Sequence, residues 1–159
     1  MRRILSIVDD MGLWALTVVL AVGLVLAVVA PAVAGDSSQP IKVVELFHAV
    51  TVTGSGNVTS AAVDLNRVAN GGFFSIQYAV TATGAPTLKF EYLLSNDGTN
   101  FLEPSSASDI ATGVTKASGP GSDGKDVVSF APEPARWMKI KVTESAAADA
   151  TLTLWLFVQ

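Results

Sequence analysis

Two arms of strict alternation at the C-terminal end constrain the fold of this chain more than any other feature. Arg136–Val158 reads Arg-Trp-Met-Lys-Ile-Lys-Val-Thr-Glu, then Ser-Ala-Ala-Ala-Asp, then Ala-Thr-Leu-Thr-Leu-Trp-Leu-Phe-Val. Met138, Ile140 and Val142 share one parity of the first arm, and Leu152, Leu154, Leu156 and Val158 share one parity of the second. A period of two places such residues on one face of a strand, so both arms read as half-buried strands. The short polar and alanine link between them predicts a hairpin. Matching the apolar faces sets its register, with Met138, Ile140 and Val142 opposite Leu156, Leu154 and Leu152. On the other face this register puts Trp137 opposite Phe157, Lys139 opposite Trp155 and Lys141 opposite Thr153. Burying that face would strand the lysine charges. Trp137, Lys139, Trp155 and Phe157 are therefore expected outside, as one surface for a ligand or partner. A sugar stacked on the indoles, a neighbouring subunit or the chain's own leader would each fit it.

The chain from residue 43 onward repeats the short-strand pattern. Val43–Thr53 carries Val44, Leu46, Val50 and Val52 on one parity, together with His48. Val58–Leu65 has Ala61, Val63 and Leu65 in phase. Phe73–Ala82 alternates through Phe74, Ile76, Tyr78 and Val80, and Thr87–Ser95 through Leu88, Phe90, Tyr92 and Leu94. The turn residues Thr83-Gly-Ala-Pro86 between them predict a second hairpin. Ser105–Gly124 leaves only Ile110 and Val114 to bury, enough for one short strand between exposed loops. Lys125–Phe130 adds a strand through Val128 and Phe130, and Pro132 and Pro134 interrupt pairing before the closing arms. Turns every eight to twelve residues or so, with no helical period, predict an all-β antiparallel β-sandwich over 43–159, a jelly roll of about eight strands.

Residues 1–34 have a different character. Arg2 and Arg3 precede an uncharged run from Met11 to Gly35, and Leu13–Val29 is almost wholly Leu, Val and Ala. Such a run predicts an N-terminal hydrophobic helix, and about 20 apolar residues suffice to span a bilayer. Pro31 breaks it just before Ala32-Val-Ala34, whose small-x-small form suits signal peptidase. Residues 1–34 read as a signal peptide or a retained anchor, and 35–42 as a linker. Either way the arginines stay inside and the globular part is exported, to a secreted, periplasmic or cell-surface location. Membrane contact then comes only through an uncleaved leader.

Little in the sequence suits catalysis. His48 is the only histidine, and there is no cysteine. An activated nucleophile needs a base with an orienting partner, and a lone histidine in a strand pattern is poor material for one. A non-enzyme is expected. The formal net charge of −4, without a basic stripe, argues against nucleic acid as a partner. Asn96, Asp97, Asn100 and Glu103 bring hard oxygens into one loop, and Asp123 and Asp126 into another. That donor set suits calcium; it equally suits ordinary turn chemistry. No other cofactor is expected.

Two separated segments carry a family resemblance. Phe90-Glu-Tyr-Leu-Leu-Ser95-Asn-Asp97-Gly98-Thr-Asn-Phe101 resembles the strand and Ser-x-Asp-Gly-x-x-aromatic turn of discoidin-type, galactose-binding-like jelly rolls. Phe130-Ala-Pro-Glu-Pro-Ala-Arg136-Trp137-Met-Lys-Ile140 resembles their Pro, then Ala-Arg-aromatic-x-basic-Ile strand, in the same order. The Asp97-Gly98 turn calls for a positive φ at or next to Gly98. This resemblance spans the C-terminal half and implies a jelly roll. It carries over no site residues, because the family's terminal cysteine pair and ligand-binding loops have no counterpart here. The Asp-Gly pattern is also similar to accessory or decoration domains of phage virions and bacterial surface proteins. The expected function is that of an exported, non-enzymatic binding or assembly module acting through an aromatic surface on protein subunits or glycan. One alternative is a calcium-dependent carbohydrate-binding module, and another is a phage virion or cell-surface decoration protein.

Overall fold

The computed structural model describes residues 41–66 and 72–159. The expected leader helix, residues 1–34, lies outside the described residues, as does the linker as far as residue 40. Among the described residues nine strands follow in order: β1 (Lys42–Val52), β2 (Asn57–Thr59), β3 (Val63–Asp64), β4 (Phe74–Thr81), β5 (Leu88–Ser95), β6 (Ala111–Val114), β7 (Lys125–Phe130), β8 (Trp137–Glu144) and β9 (Ala150–Val158). They form two antiparallel sheets, one ordered β1-β9-β4-β7 and the other β2-β8-β5-β6, with β3 also paired to β8. The result is an antiparallel β-sandwich whose strand order is consistent with the expected jelly roll.

The alternation read from the sequence sets the core. Met138, Ile140 and Val142 of β8 and Leu152, Leu154, Leu156 and Val158 of β9 are fully buried. Ile76, Tyr78 and Val80 from β4 and Leu88, Phe90 and Tyr92 from β5 join them. Tyr78 and Phe90 stack at 5.2 Å between ring centroids. Each large aliphatic side chain so buried contributes about 1.5–3 kcal/mol relative to exposure.

Both predicted hairpins are absent, because each pair of strands is split between the sheets. β8 pairs with β2, β3 and β5, whereas β9 pairs with β1 and β4. Likewise β4 belongs with β9 and β7, and β5 with β8 and β6. The links Ala82–Thr87 and Ser145–Asp149 are therefore arches that cross between sheets, which pack about 10 Å apart. Alternation has the same period in an arch and a hairpin, and in an arch the two apolar stripes face each other instead of lying side by side. The pairings expected between Trp137 and Phe157, Lys139 and Trp155, and Lys141 and Thr153 do not form. Trp137, Lys139 and Lys141 lie beside Ser95, Leu93 and Glu91 of β5, while Trp155 and Phe157 lie beside Gln77 and Ser75 of β4.

Two strands depart from simple alternation. In β1 the register shifts between Glu45 and Phe47 and again between Phe47 and Val50, and Ala49 has φ 49°. This bulge turns Phe47 into the core and leaves His48 exposed, so the parity expected from Val44 to Val52 breaks at its middle. The expected strand over Val58–Leu65 is divided into β2 and β3. At the break the Ile140 N–H donates to the buried Ser60 Oγ at 3.0 Å, and Ser60 N–H donates to the Ile140 carbonyl.

The arches are gathered at one end of the sandwich by Glu144, the last residue of β8. Its carboxylate accepts the backbone N–H groups of Ser55 (2.7 Å), Thr87 (3.1 Å) and Ala146 (2.6 Å). Three separate crossings thus share one buried acceptor.

Candidate functional site

The four residues expected to form one aromatic surface lie on opposite outer faces of the sandwich. Trp137 and Lys139 belong to the sheet β2-β8-β5-β6, and Trp155 and Phe157 to β1-β9-β4-β7. The two halves have different surroundings.

Trp137 and Lys139 are partly covered by the loop that follows β5. Gly98, with φ 73°, sits so close to the Trp137 indole that a Cβ there would meet its Nε1 at 3.2 Å. Phe101 from the same loop places its ring 4.1 Å from Lys139 Nζ, a cation–π contact, and Arg136 lies 5.6 Å from the centre of the Trp137 ring. Arg136 N–H donates to Asn96 Oδ1 at 3.2 Å. The two segments that carry the discoidin-type resemblance therefore pack on each other. Trp137 is a platform for that turn.

Asp97 holds the loop together. Its Oδ1 accepts Ser95 Oγ–H and the N–H groups of Thr99 and Asn100, each at 2.8 Å, and its Oδ2 accepts Asn100 Nδ2–H at 2.7 Å. These donors from Asn100, Thr99 and Ser95 hold the Asp97 carboxyl well below the usual carboxylate range. Of the expected calcium set, Asn96, Asp97 and Asn100 line one hollow of about 390 Å³ with Leu94, Leu102 and Pro134. Glu103 is placed elsewhere, with its carboxylate beside those of Glu91 and Asp109. Asp97 already uses both oxygens within the turn, so the loop geometry is that of a self-satisfied Asx turn. In the other loop, Asp123 pairs with Lys125 Nζ at 3.0 Å and Asp126 accepts the Val127 N–H at 2.8 Å.

Glu91 is a charged group that the alternation pattern alone does not single out. It lies on the outer parity of β5 yet is only 3% exposed. Lys89 Nζ is 2.6 Å from its Oε1 and Lys141 Nζ 3.3 Å from its Oε2, with Thr143 Oγ1 donating at 3.3 Å. Burial pushes the Glu91 pKa up, but the two lysines outweigh it and the net direction is down. The signal in the sequence is the row Lys89, Glu91, Lys141, legible only once β5 and β8 are known neighbours. His48 is exposed and bonds Glu45 Oε1 through Nδ1 at 2.8 Å, an i to i+3 contact beside the bulge.

The outer face of β1-β9-β4-β7 carries the other half of the expected surface. Antiparallel register aligns Val43, Phe157, Ser75 and Ser129 in one row across the four strands. The next row is Glu45, Trp155, Gln77 and Val127. Trp155 and Phe157 are partly exposed, and Val43, Val127 and the adjoining Phe73 are among the exposed large hydrophobics of the described residues. Sequence reading missed Val43, Phe73 and Val127, because membership of this face follows from strand order. The sheet's rims are blunted. On β7 the Lys125 N–H meets Asp123 Oδ1 at 3.3 Å and the Val127 N–H meets Asp126 Oδ1. On β1 the bulge at His48 and Ala49 disrupts the ladder. Capped amides and bulges discourage growth of a sheet through its edges.

No protein family matches the chain, and no curated protein matches it. Among solved structures it is similar to part of the structure of infectious bursal disease virus Gx strain, at 11% identity over 75% of this chain and 32% of that one, with a TM-score of 0.48. It is also similar to part of the catalytic unit of a thermostable GH87 alpha-1,3-glucanase from Streptomyces thermodiastaticus strain HF3-3. There the identity is 13% over 77% of this chain and 26% of that one, with a TM-score of 0.33. The chain spans about a third or less of these solved chains.

Proposed function

We propose that this protein is an exported, non-catalytic binding or assembly module that acts through the outer face of β1-β9-β4-β7. The observation that carries this reading is the pair of rows placing Phe157 beside Val43 and Trp155 between Glu45 and Gln77, on a sheet with blunted rims. Apolar and aromatic groups on an otherwise polar outer face mark an interaction surface. Trp137 and Lys139 leave that surface and take a supporting role beneath the Asp97-Gly98 turn. Export is supported by the apolar run and Ala32-Val-Ala34. The jelly-roll order and the packing of its two characteristic segments support a relation to discoidin-type domains at the level of architecture. A decoration protein of a virion or cell surface is one form such a module takes.

The alternative is a calcium-dependent carbohydrate-binding module using the hollow at Asn96, Asp97 and Asn100. Sizing of the purified protein together with a glycan array separates the two. Concentration-dependent association that weakens in Trp155→Ala supports the face. Glycan binding that is lost on chelation and unaffected by Trp155→Ala supports the alternative.

A further inference from the structure

The outer face of β1-β9-β4-β7 is uneven from side to side. The β1 and β9 half carries Val43, Glu45, Trp155 and Phe157, and in the same rows the β4 and β7 half carries Ser75, Gln77, Ser129 and the exposed Val127, with Thr153 beside Ala79 one row further. Phe157 stands beside Ser75 and Ser129 in one row and Trp155 beside Gln77 in the next, so the face steps down from β9 to β4. A hollow of about 320 Å³ lies at that step, lined by Phe73, Ser75, Ser129 and Phe157 among others. The charges are also divided. Glu45 is on the β1 rim, and Lys125 is on β7, opposite Ala79.

Resting on the assignment of this face as the interaction surface, we propose that its partner is a second copy of the same chain. The two copies pack face to face about a two-fold axis running along the strands between β9 and β4. That rotation lays β9 over the mate's β4 and β1 over the mate's β7. Phe157 then stands over the mate's Ser75 and its hollow, Trp155 over Gln77, and Val43 over Ser129. Glu45 arrives over Val127, two residues or roughly 7 Å along the strand from Lys125, within reach of a lysine side chain. Each contact occurs twice, as an isologous interface requires. A two-fold axis across the strands would lay β9 on β9, setting Trp155 and Phe157 against their own copies, and leave Glu45 over its mate's β1. One operation therefore matches relief and charge together. In the single copy Glu45 contacts His48 and Lys125 contacts Asp123, and both pairs are solvent-exposed at 2.8 and 3.0 Å. Exposed pairs of this kind exchange partners at little cost.

Sedimentation equilibrium on the intact protein tests the axis through a charge swap. Glu45→Lys and Lys125→Glu should each weaken dimerisation about tenfold by setting like charges face to face. The double variant should recover to within about threefold of the wild type, since the opposite-charge pair is restored. β9 and β4 separate Glu45 from Lys125 within one copy, so recovery can arise only between copies. Ala79→Trp, which adds bulk on β4 beneath the mate's β9, should abolish the dimer with little change in melting temperature. A protein that is monomeric at all concentrations overturns the proposal, as does a dimer in which the double variant does no better than the singles. Acrylamide quenching of Trp155, in a Trp14→Phe and Trp137→Phe background, separates this failure from that of the underlying reading. A monomer with a freely quenched Trp155 leaves the face open to another partner. A dimer indifferent to Trp155→Ala overturns face and axis together.

Discussion

Glu144 on β8 accepts the backbone N–H of Ser55 at 2.7 Å, joining residues 89 positions apart in the chain. The same carboxylate takes N–H groups from Thr87 and Ala146, so one side chain ties three crossings between the sheets. Burial raises the pKa of this carboxyl, but the backbone donors of Ser55, Thr87, Ala146 and Ala148 outweigh it and hold the value at about 2. The folded pKa lies below the ordinary 4.5, so the stabilisation is present above the unfolded value and is lost as the pH falls through the folded one.

Thermal melts should therefore hold a plateau above about pH 5 and decline between about pH 4.5 and pH 2. Asp97 and Asp123 have pKa values lowered in the same direction and add to the decline. Glu144→Gln should be less stable at neutral pH, by on the order of 10 °C, because an amide presents N–H groups to N–H groups. Its acid decline should be shallower. A wild-type melting temperature unchanged down to about pH 3 would show that the Glu144 carboxylate does not hold the arches.

Gly98→Val should destabilise the fold by about 1–3 kcal/mol, because valine resists a positive φ. The Trp137 indole adds a second obstacle, since it already sits 3.2 Å from where a Cβ would be. Urea unfolding followed by circular dichroism reads this directly, and an unchanged midpoint would mean that the turn relaxes without cost.

The two lysines on Glu91 should behave as alternates. Lys89→Met and Lys141→Met should each cost about 1 kcal/mol or less, because the remaining lysine still pairs with the buried carboxylate. The double variant leaves that carboxylate unpaired and should cost about 3–5 kcal/mol, more than the sum of the singles. Additive costs in a double-mutant cycle would show that the three groups are not coupled.

The core was legible in the sequence because burial obeys strand parity: Met138, Ile140, Val142, Leu152, Leu154 and Leu156 lie inside as their spacing requires. The positive φ at Gly98 was legible for the same kind of local reason. Pairing was not. Whether Ser145–Asp149 folds β8 beside β9 or carries β9 to the other sheet depends on what β5 and β1 occupy, and periodicity holds no record of that. The four residues expected on one face divide between the two sheets for the same reason. Trp137 and Trp155 have the same outward parity, but only strand order shows that one supports the Asp97-Gly98 turn and the other lies beside Gln77. The β1 bulge was hidden because no glycine or proline marks it; Ala49 takes the positive φ instead.

The most direct test of the assigned face is a comparison of two tryptophan variants by sedimentation velocity over a concentration series, with melting temperatures recorded in parallel. Trp155→Ala should abolish the concentration-dependent association of the wild type and leave its melting temperature nearly unchanged. Trp137→Ala should lower the melting temperature, since Gly98 and Arg136 rest on that indole, and should leave association intact. Association that survives Trp155→Ala but is lost in a still-folded Trp137→Ala would place the working surface on the opposite sheet and contradict the account.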